Sequence, residues 1–340
     1  VTTRHFVVRD VPGQCHGSTV CVTEDTFVVA WFQGDHEGAA DSRIWLSRGT
    51  DDRWSAPTVV SGDLAPCWNP VLHRRTGGDL VCWFKVGATI STWVTHRVVS
   101  TDGGRTWSTP RPLGDAEPGG RGPVRTPPLR LRSGRLLAGA STERWGERPR
   151  WDCFVERSDD DGDTWQRSPD IRLDHATFPG AGAIQPALWQ TPTGEVRLLA
   201  RSTAGRLVTA TSVDDGRTWS PGSLSTVPNN NSGIAVTRLG DRVHLAHNPT
   251  TGDWASRAPL TVSVSTDEGQ TFRPWLTLEE SLGETADEGY RPADSGVLTT
   301  GDNEFSYPCL IPVGDRLAVT YTWQRRGIVL ALLDPSEHIS

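Results

Sequence analysis

One eight-residue phrase recurs through the chain and constrains its fold more than any other feature. Ser100 to Trp107 reads STDGGRTW, and the phrase returns as Ser158 to Trp165 (SDDDGDTW), Ser212 to Trp219 (SVDDGRTW) and Ser265 to Phe272 (STDEGQTF). A worn copy, Ser47 to Trp54 (SRGTDDRW), precedes them. The starts lie 53, 58, 54 and 53 residues apart, and a fixed period of that size marks repeated supersecondary units. Asp and Gly tolerate tight-turn dihedrals, and Ser, Asp and Thr side chains bond nearby backbone, so each copy reads as a hairpin turn. The closing Trp or Phe anchors the turn in a core. Runs rich in Val, Leu and Thr flank each copy, as strands do. Each unit is therefore expected to be a small antiparallel sheet. The repeated aspartates are read as turn formers, because residues of a site would not be copied into every unit.

Aligning the units on their turns exposes a second register. Each unit opens with a polar cluster that feeds an apolar strand: Cys15 to Ser18, Cys67 to Pro70, Val124 to Pro127, Ile184 to Pro186, Asn231 to Gly233 and Phe305 to Pro308. A second strand follows each opening and ends in another cluster: Trp31 to Glu37, Phe84-Lys85, Ser141 to Glu143, Arg201-Ser202, His247-Asn248 and Tyr321 to Trp323. Six openings against five turns leave the last unit one strand short. The N-terminal run His5 to Arg9 has no unit of its own and is expected to supply that strand. The reading is all-β: a six-bladed β-propeller over residues 1–340, one domain, with its ring closed by the N-terminal strand. The longest irregular segments are Gly114 to Gly122, Leu173 to Gly182 and Leu278 to Asn303. The last is acidic and Gly-rich, and loops of that length often cover a site.

In a propeller the first strand of each blade lies nearest the axis. Starts of first strands and ends of second strands then share one face, so the polar clusters converge on a central funnel. That nominates His16, Asp35, Glu37, Asn69, Lys85, Arg125, Glu143, Gln185, Arg201, Asn231, His247, Asn248, Glu304, Tyr307 and Trp323.

Composition narrows the classes of function. A formal net charge of -7 argues against a nucleic-acid partner. No apolar run approaches the length of a membrane span. The start, VTTRHFVVRD, lacks the apolar core of a signal peptide, so the expected location is cytoplasmic, or outside the cell if a leader has been removed. Six dispersed cysteines show no metal spacing and read as buried thiols. No metal or organic cofactor is indicated, and the expected partner is a small molecule or glycan.

The repeated phrase SxDxGxTW resembles the Asp-box, or BNR repeat, of the sialidase superfamily, and the match runs through essentially the whole chain. The chain looks most like the bacterial predicted-neuraminidase branch, through Cys15 to Thr19, Pro66 to Pro70, Ser141 to Glu143, Asn231 to Gly233, Ser306 to Pro308 and Tyr321 to Trp323. Sialidases hold a substrate carboxylate with three arginines, use a Tyr nucleophile activated by a Glu, and use an Asp as acid/base. By that resemblance Tyr307 stands for the nucleophile and Arg201 for one arginine. Gln185 stands where the activating Glu would be, His16 where the first-blade arginine would be, and Asn231 where a third is sought. Asp35 or Asp41 would be the acid/base. The Glu is thus replaced by an amide, which cannot act as a general base.

The leading expectation is a sialidase-like enzyme of exo-glycosidase type, acting on an anionic glycoside by hydrolysis or elimination. Arg201, Arg125 and Lys85 would hold the anion, with Asn69, Gln185, Asn231, His247 and Trp323 lining the site. Tyr307 and His16 would carry nucleophile or acid/base roles, assisted by Glu143, Glu37 or Asp35. Each has a plainer reading beside it. His16 reads equally as a buried hydrogen-bonded ring. Arg201 and Arg125 read equally as clamps for loop carbonyls. Lys85 is the one Lys among 34 basic residues, which suggests a need for a compact ammonium or else a chance survivor. Two other functions stay open: a ligand-binding propeller without glycosidase chemistry, and recruitment to another small-molecule reaction.

Overall fold

The repeated phrase folds the same way four times, because its side chains replace backbone partners that a tight turn lacks. In the first clear copy Ser100 Oγ donates to Asp102 Oδ1 and accepts from the Gly104 amide, each at 2.8 Å. Asp102 then accepts from the Thr106 amide at 2.9 Å and the Thr106 hydroxyl at 2.6 Å. The same bonds link Ser158, Asp160, Gly162 and Thr164, then Ser212, Asp214, Gly216 and Thr218, then Ser265, Asp267, Gly269 and Thr271. The worn copy has lost the pattern: Ser47 Oγ donates to the Ser55 carbonyl, and Asp51 lies outside the described residues. The glycine is required twice over. Gly269 has φ +85° and a Cβ there would come within 2.4 Å of the Trp189 ring in the preceding blade. Each turn thus rests on a neighbouring blade. Ser212→Ala is expected to cost about 1–2 kcal/mol, read as a lower urea midpoint at unchanged slope.

This computed structural model describes residues 2–24, 26–50, 52–114, 119, 121–283 and 290–336. The phrase joins the third strand of a blade to the fourth, as Val94–Ser100 to Arg111–Pro112 shows for blade two. Six antiparallel sheets follow one another around the ring, each built from consecutive strands except the last. The last sheet runs Thr3–Arg9, Gly327–Leu333, Arg316–Trp323, Phe305–Val313, so the N-terminal strand closes the ring as expected. His5 pairs with Leu330 and Arg9 with Gly327. Outside the sheets lie a short 3-10 turn, Ile90–Thr92, and a separate hairpin of strands Arg291–Ala293 and Gly296–Leu298.

The core is divided among the blade interfaces. Strand alternation turns every second side chain toward a neighbouring blade, and six apolar clusters fill the six gaps. Val28, Leu46, Leu72 and Phe84 pack between blades one and two, and Val29, Trp31, Ala318 and Leu330 between six and one. All six cysteines are free and buried. Among the described residues no helix is long and apolar enough to cross a membrane.

Candidate functional site at the propeller axis

Four of the six innermost strands share one irregularity, and it builds the site. Pairing with the second strand shifts register between His16 and Thr19, between Trp68 and Val71, between Ile184 and Ala187, and between Ser306 and Cys309. A left-handed residue sits inside each shift: Gly17 at φ +64°, Asn69 at +43°, Gln185 at +55° and Tyr307 at +52°. Asn231, just ahead of the fifth blade's first strand, lies at +57°. A bulge of this kind re-aims a side chain out of the sheet. A left-handed conformation at a Tyr or Gln costs of order 1–3 kcal/mol and tends to mark a functional position. Asn69, Gln185 and Tyr307 are thereby turned into one axial pocket, together with Glu37, Glu143 and Arg201. Trp68, Trp93, Trp145, Trp254, Ile90 and Ile184 make its apolar walls.

Tyr307 is the centre of the arrangement. Arg201 Nη1 donates to Tyr307 Oη at 2.5 Å and to Gln185 Oε1 at 3.2 Å, while Nε donates to Asn231 Oδ1 at 2.9 Å. Asn231 in turn donates to Asp253 at 2.7 Å. The His16 ring lies against the Tyr307 ring, with centroids 4.1 Å apart. Arg125, Arg257 and Arg201 place their guanidinium carbons 5.1, 5.2 and 5.6 Å from the ring centre, so positive charge surrounds this phenol.

Two of the arginines in this region are matched by buried carboxylates. Glu304 accepts from Arg257 Nη1 and Arg325 Nε, each at 2.8 Å, and from the Ser306 hydroxyl at 2.6 Å. Glu37 accepts from Arg325 Nη1 at 2.6 Å. Burial would raise the Glu304 pKa, but Arg325 and Arg257 outweigh it and hold the carboxyl well below its ordinary range. Burial and the nearby Arg325 push His16 well below 6.5, so its imidazole is neutral at physiological pH. Neither His16 nitrogen has a hydrogen-bond partner among the described residues, and Nδ1 lies 3.7 Å from Glu304. Glu143 is the contrasting acid. Burial pushes its pKa up to about 7, against the pull of Arg201. Glu143 is therefore able to carry a proton at neutral pH.

The structure separates the candidates. It brings Tyr307, His16, Glu143, Glu37, Asn69, Gln185, Arg201 and Asn231 together at the axis. Arg125 is at the axis but beneath Tyr307, where it donates to the carbonyls of Ser18 and Pro308 at 3.2 and 2.9 Å, and to that of Tyr307. It is a clamp for the inner strands and not a wall of the pocket. Lys85 points into the gap between blades, donating to Thr95 Oγ1 at 2.6 Å and the Arg121 carbonyl at 2.8 Å. Burial there brings its pKa down to about 7, with Glu156 acting against the fall. His247 faces Ser263 at 2.9 Å, and Trp323 packs on Phe6. All three sit at strand ends, as expected; strand alternation turns His247 and Trp323 to the other blade face, whereas Lys85 shares the register of Arg201 and is instead taken up by Thr95 and the Arg121 carbonyl. Asp35 is exposed on the turn beyond, beside His36 and Asp41, away from the pocket. Asn248 bonds three carbonyls, of Arg257, Pro259 and Phe305.

Sequence reading missed Arg257, Arg325, Trp93, Trp145 and Trp254. Arg325 stands two residues past the Tyr321 to Trp323 cluster, so that cluster extends further than its strand. Arg257 and Trp254 lie in the connection after His247-Asn248, where nothing repeats from blade to blade. Among the described residues no group of His, Cys, Asp and Glu has the form of a metal site.

A family model for the BNR repeat-like domain matches residues 25–319. No curated protein matches the sequence significantly. Among solved structures, a protein of unknown function from Dyadobacter fermentans is similar with a TM-score of 0.75 at 17% identity, over 98% of both chains. The Hadza microbial sialidase Hz136 follows at 0.70 and 15% identity, over 96% of this chain and 66% of its own. Trypanosoma rangeli sialidase in complex with the inhibitor DANA gives 0.64 at 14%, over 97% of this chain and 57% of its own. This chain thus spans about two thirds or less of those sialidases, and at such identities the likeness is one of fold.

Proposed function

The chain belongs to the BNR repeat-like domain family, and from that premise we propose that it is a carbohydrate-active enzyme that hydrolyses an anionic glycoside at the propeller axis. The observation that carries this reading is the contact of Arg201 Nη1 with Tyr307 Oη at 2.5 Å, in a pocket that also holds the protonatable Glu143. Negative charge developing on Tyr307 as it acts as nucleophile is stabilised by that donor. Glu37, held by Arg325, takes the phenol proton. Glu143 protonates the leaving oxygen, then draws a proton from the water that releases the sugar. Arg201 Nη2 has no hydrogen-bond partner among the described residues and faces the anionic group of the substrate. The indole walls suit the apolar face of a sugar ring.

A second reading, ligand binding without glycosidase chemistry, is favoured by Gln185. Its Oε1 accepts from Arg201, and an amide cannot take the proton of Tyr307.

The test is turnover of a panel of fluorogenic sialosides, uronides and neutral glycosides by the purified protein. Activity confined to the anionic members supports the proposal, and silence across the panel from folded protein moves the weight to binding. Glu143 supplies the pH signature. It is protonated below about 7 and loses its proton above, so activity is expected to fall as pH rises through about 7. Glu143→Gln should remove that alkaline limb and lower kcat about 10²–10⁴-fold.

A further inference from the structure

The axial pocket is narrow and largely covered. Arg201 and Trp68 are each 1% exposed, Gln185 4%, Tyr307 and Glu143 6%. The space left among them that water could enter is about 30 Å³. Pockets for small-molecule ligands run to roughly 300 Å³ or more. A sugar ring does not enter the site as it stands.

What closes it is the hairpin of strands Arg291–Ala293 and Gly296–Leu298, whose Ala293 and Val297 roof the pocket. This hairpin belongs to no blade. Among the described residues its strands pair only with each other, through three residue pairs, and an isolated two-stranded hairpin has little stability of its own. Contacts at its tip hold it in place. Asp294 Oδ1 accepts from the Ser91 amide at 2.8 Å and the Ser91 hydroxyl at 2.9 Å, and the Asp294 carbonyl accepts from the Ile90 amide at 2.8 Å. Two glycines let the tip lie flush on the Glu37 turn. A Cβ at Gly296 would come within 2.1 Å of the Glu37 carbonyl oxygen, and one at Gly38 within 1.9 Å of the Ser295 carbonyl oxygen. At the base of the hairpin Tyr290 packs at a tilt against Trp254 and accepts from Arg257, which also holds Glu304.

We propose that residues 291–298 form a lid over the axial pocket, latched shut by Asp294 on the Ile90–Thr92 turn, and that ligand reaches Tyr307 only when the latch opens. Closure removes water from around Tyr307, Arg201 and Glu143 and brings Ala293 and Val297 onto the bound ring. The lid is tied through Tyr290 and Arg257 to the ion pairs beneath Tyr307, so its position and the order of the floor are linked.

The test uses accessibility of the tyrosines and needs no substrate, so its failure is separate from failure of the glycoside reading. The chain has three tyrosines, Tyr290, Tyr307 and Tyr321. Tyr321 is fully buried in the last blade and serves as an internal control. The whole protein is treated with N-acetylimidazole, and acetylation at each tyrosine is followed by peptide mass spectrometry. In the wild type Tyr307 is expected to react slowly. Asp294→Ala, which removes the side-chain half of the latch, and Gly296→Ala, which wedges the tip off Glu37, should each raise the Tyr307 rate roughly tenfold with Tyr321 unchanged. Equal Tyr307 rates in wild type and both variants would overturn the proposal. So would a rise at Tyr307 matched by an equal rise at Tyr321, which reports loosening of the whole blade.

Discussion

Tyr307→Phe is expected to abolish turnover of the glycoside that the panel identifies, by on the order of 10⁴-fold or more in kcat, because Tyr307 Oη, held by Arg201 at the centre of the pocket, is the nucleophile of the proposed reaction. The substitution deletes one oxygen and keeps the ring that His16, Arg125 and Arg257 surround. Arg201 Nη1 keeps Gln185 as an acceptor. Stability should therefore change by no more than about 1 kcal/mol, the net value of a single hydrogen bond. Loss of activity at an unchanged thermal midpoint assigns the chemistry to Oη. Retention of more than a tenth of wild-type kcat removes Tyr307 from the mechanism and leaves the pocket as a binding site.

The second large effect is on stability. Arg325→Met should destabilise the protein by about 3–5 kcal/mol, measured by denaturant unfolding. It strips Glu37 of its hydrogen-bonding cation and Glu304 of one of two, and both carboxylates stay buried. The pH dependence follows from the sign of the shift at Glu304. Its folded-state pKa lies well below 4.5, so its stabilisation is present above 4.5 and is lost as pH falls through the folded value. Removing Arg325 raises that folded value, so the variant should lose stability at a higher pH than the wild type as acid is added. The double variant Arg325→Met with Glu37→Gln should recover part of the loss at neutral pH, because it removes the carboxylate left without its hydrogen-bonding cation, while Glu304 keeps Arg257. Additive losses in the double variant would mean that Arg325 acts through packing alone.

These two experiments address a division of labour among the arginines. The resemblance to sialidases suggests a search for three arginines converging on a ligand carboxylate. The chain does gather Arg201, Arg257 and Arg325 at the axis, but Glu304 and Glu37 engage the last two, and Arg125 is spent on strand carbonyls. Arg201 is the guanidinium in the pocket wall that keeps an open donor. The hold on an anion is thus narrower than three free arginines would provide, and a panel that includes several anionic sugars is the right first probe.

The fold was legible in the chain because it is written in local chemistry. Each Ser-x-Asp-x-Gly-x-Thr phrase closes its own turn with bonds among residues at most four apart, so it needs no distant partner to declare itself. Repetition at a fixed period then gives the blade count, and the unpaired N-terminal strand gives the closure. The convergence of strand ends also located Tyr307, Arg201, Gln185, Asn69 and Glu143 at the axis. What the chain alone did not separate was which residue at a strand end turns inward. Lys85 carries the same positional mark and register as Arg201, pairing with Trp68 as Arg201 pairs with Ile184, yet Thr95 and the Arg121 carbonyl take up its ammonium between blades; pleating turns His247 to the other face, while bulges with left-handed backbone at Asn69, Gln185 and Tyr307 send those side chains inward. Arg257, Arg325 and the hairpin over the pocket come from connections that follow no repeat. Their contacts join residues tens to hundreds of positions apart, such as Arg325 with Glu37 and Asp294 with Ser91. Turn chemistry acts within a few residues and can be read from order alone. Charge pairing and lid closure act across space, and only the closed ring brings those partners within reach.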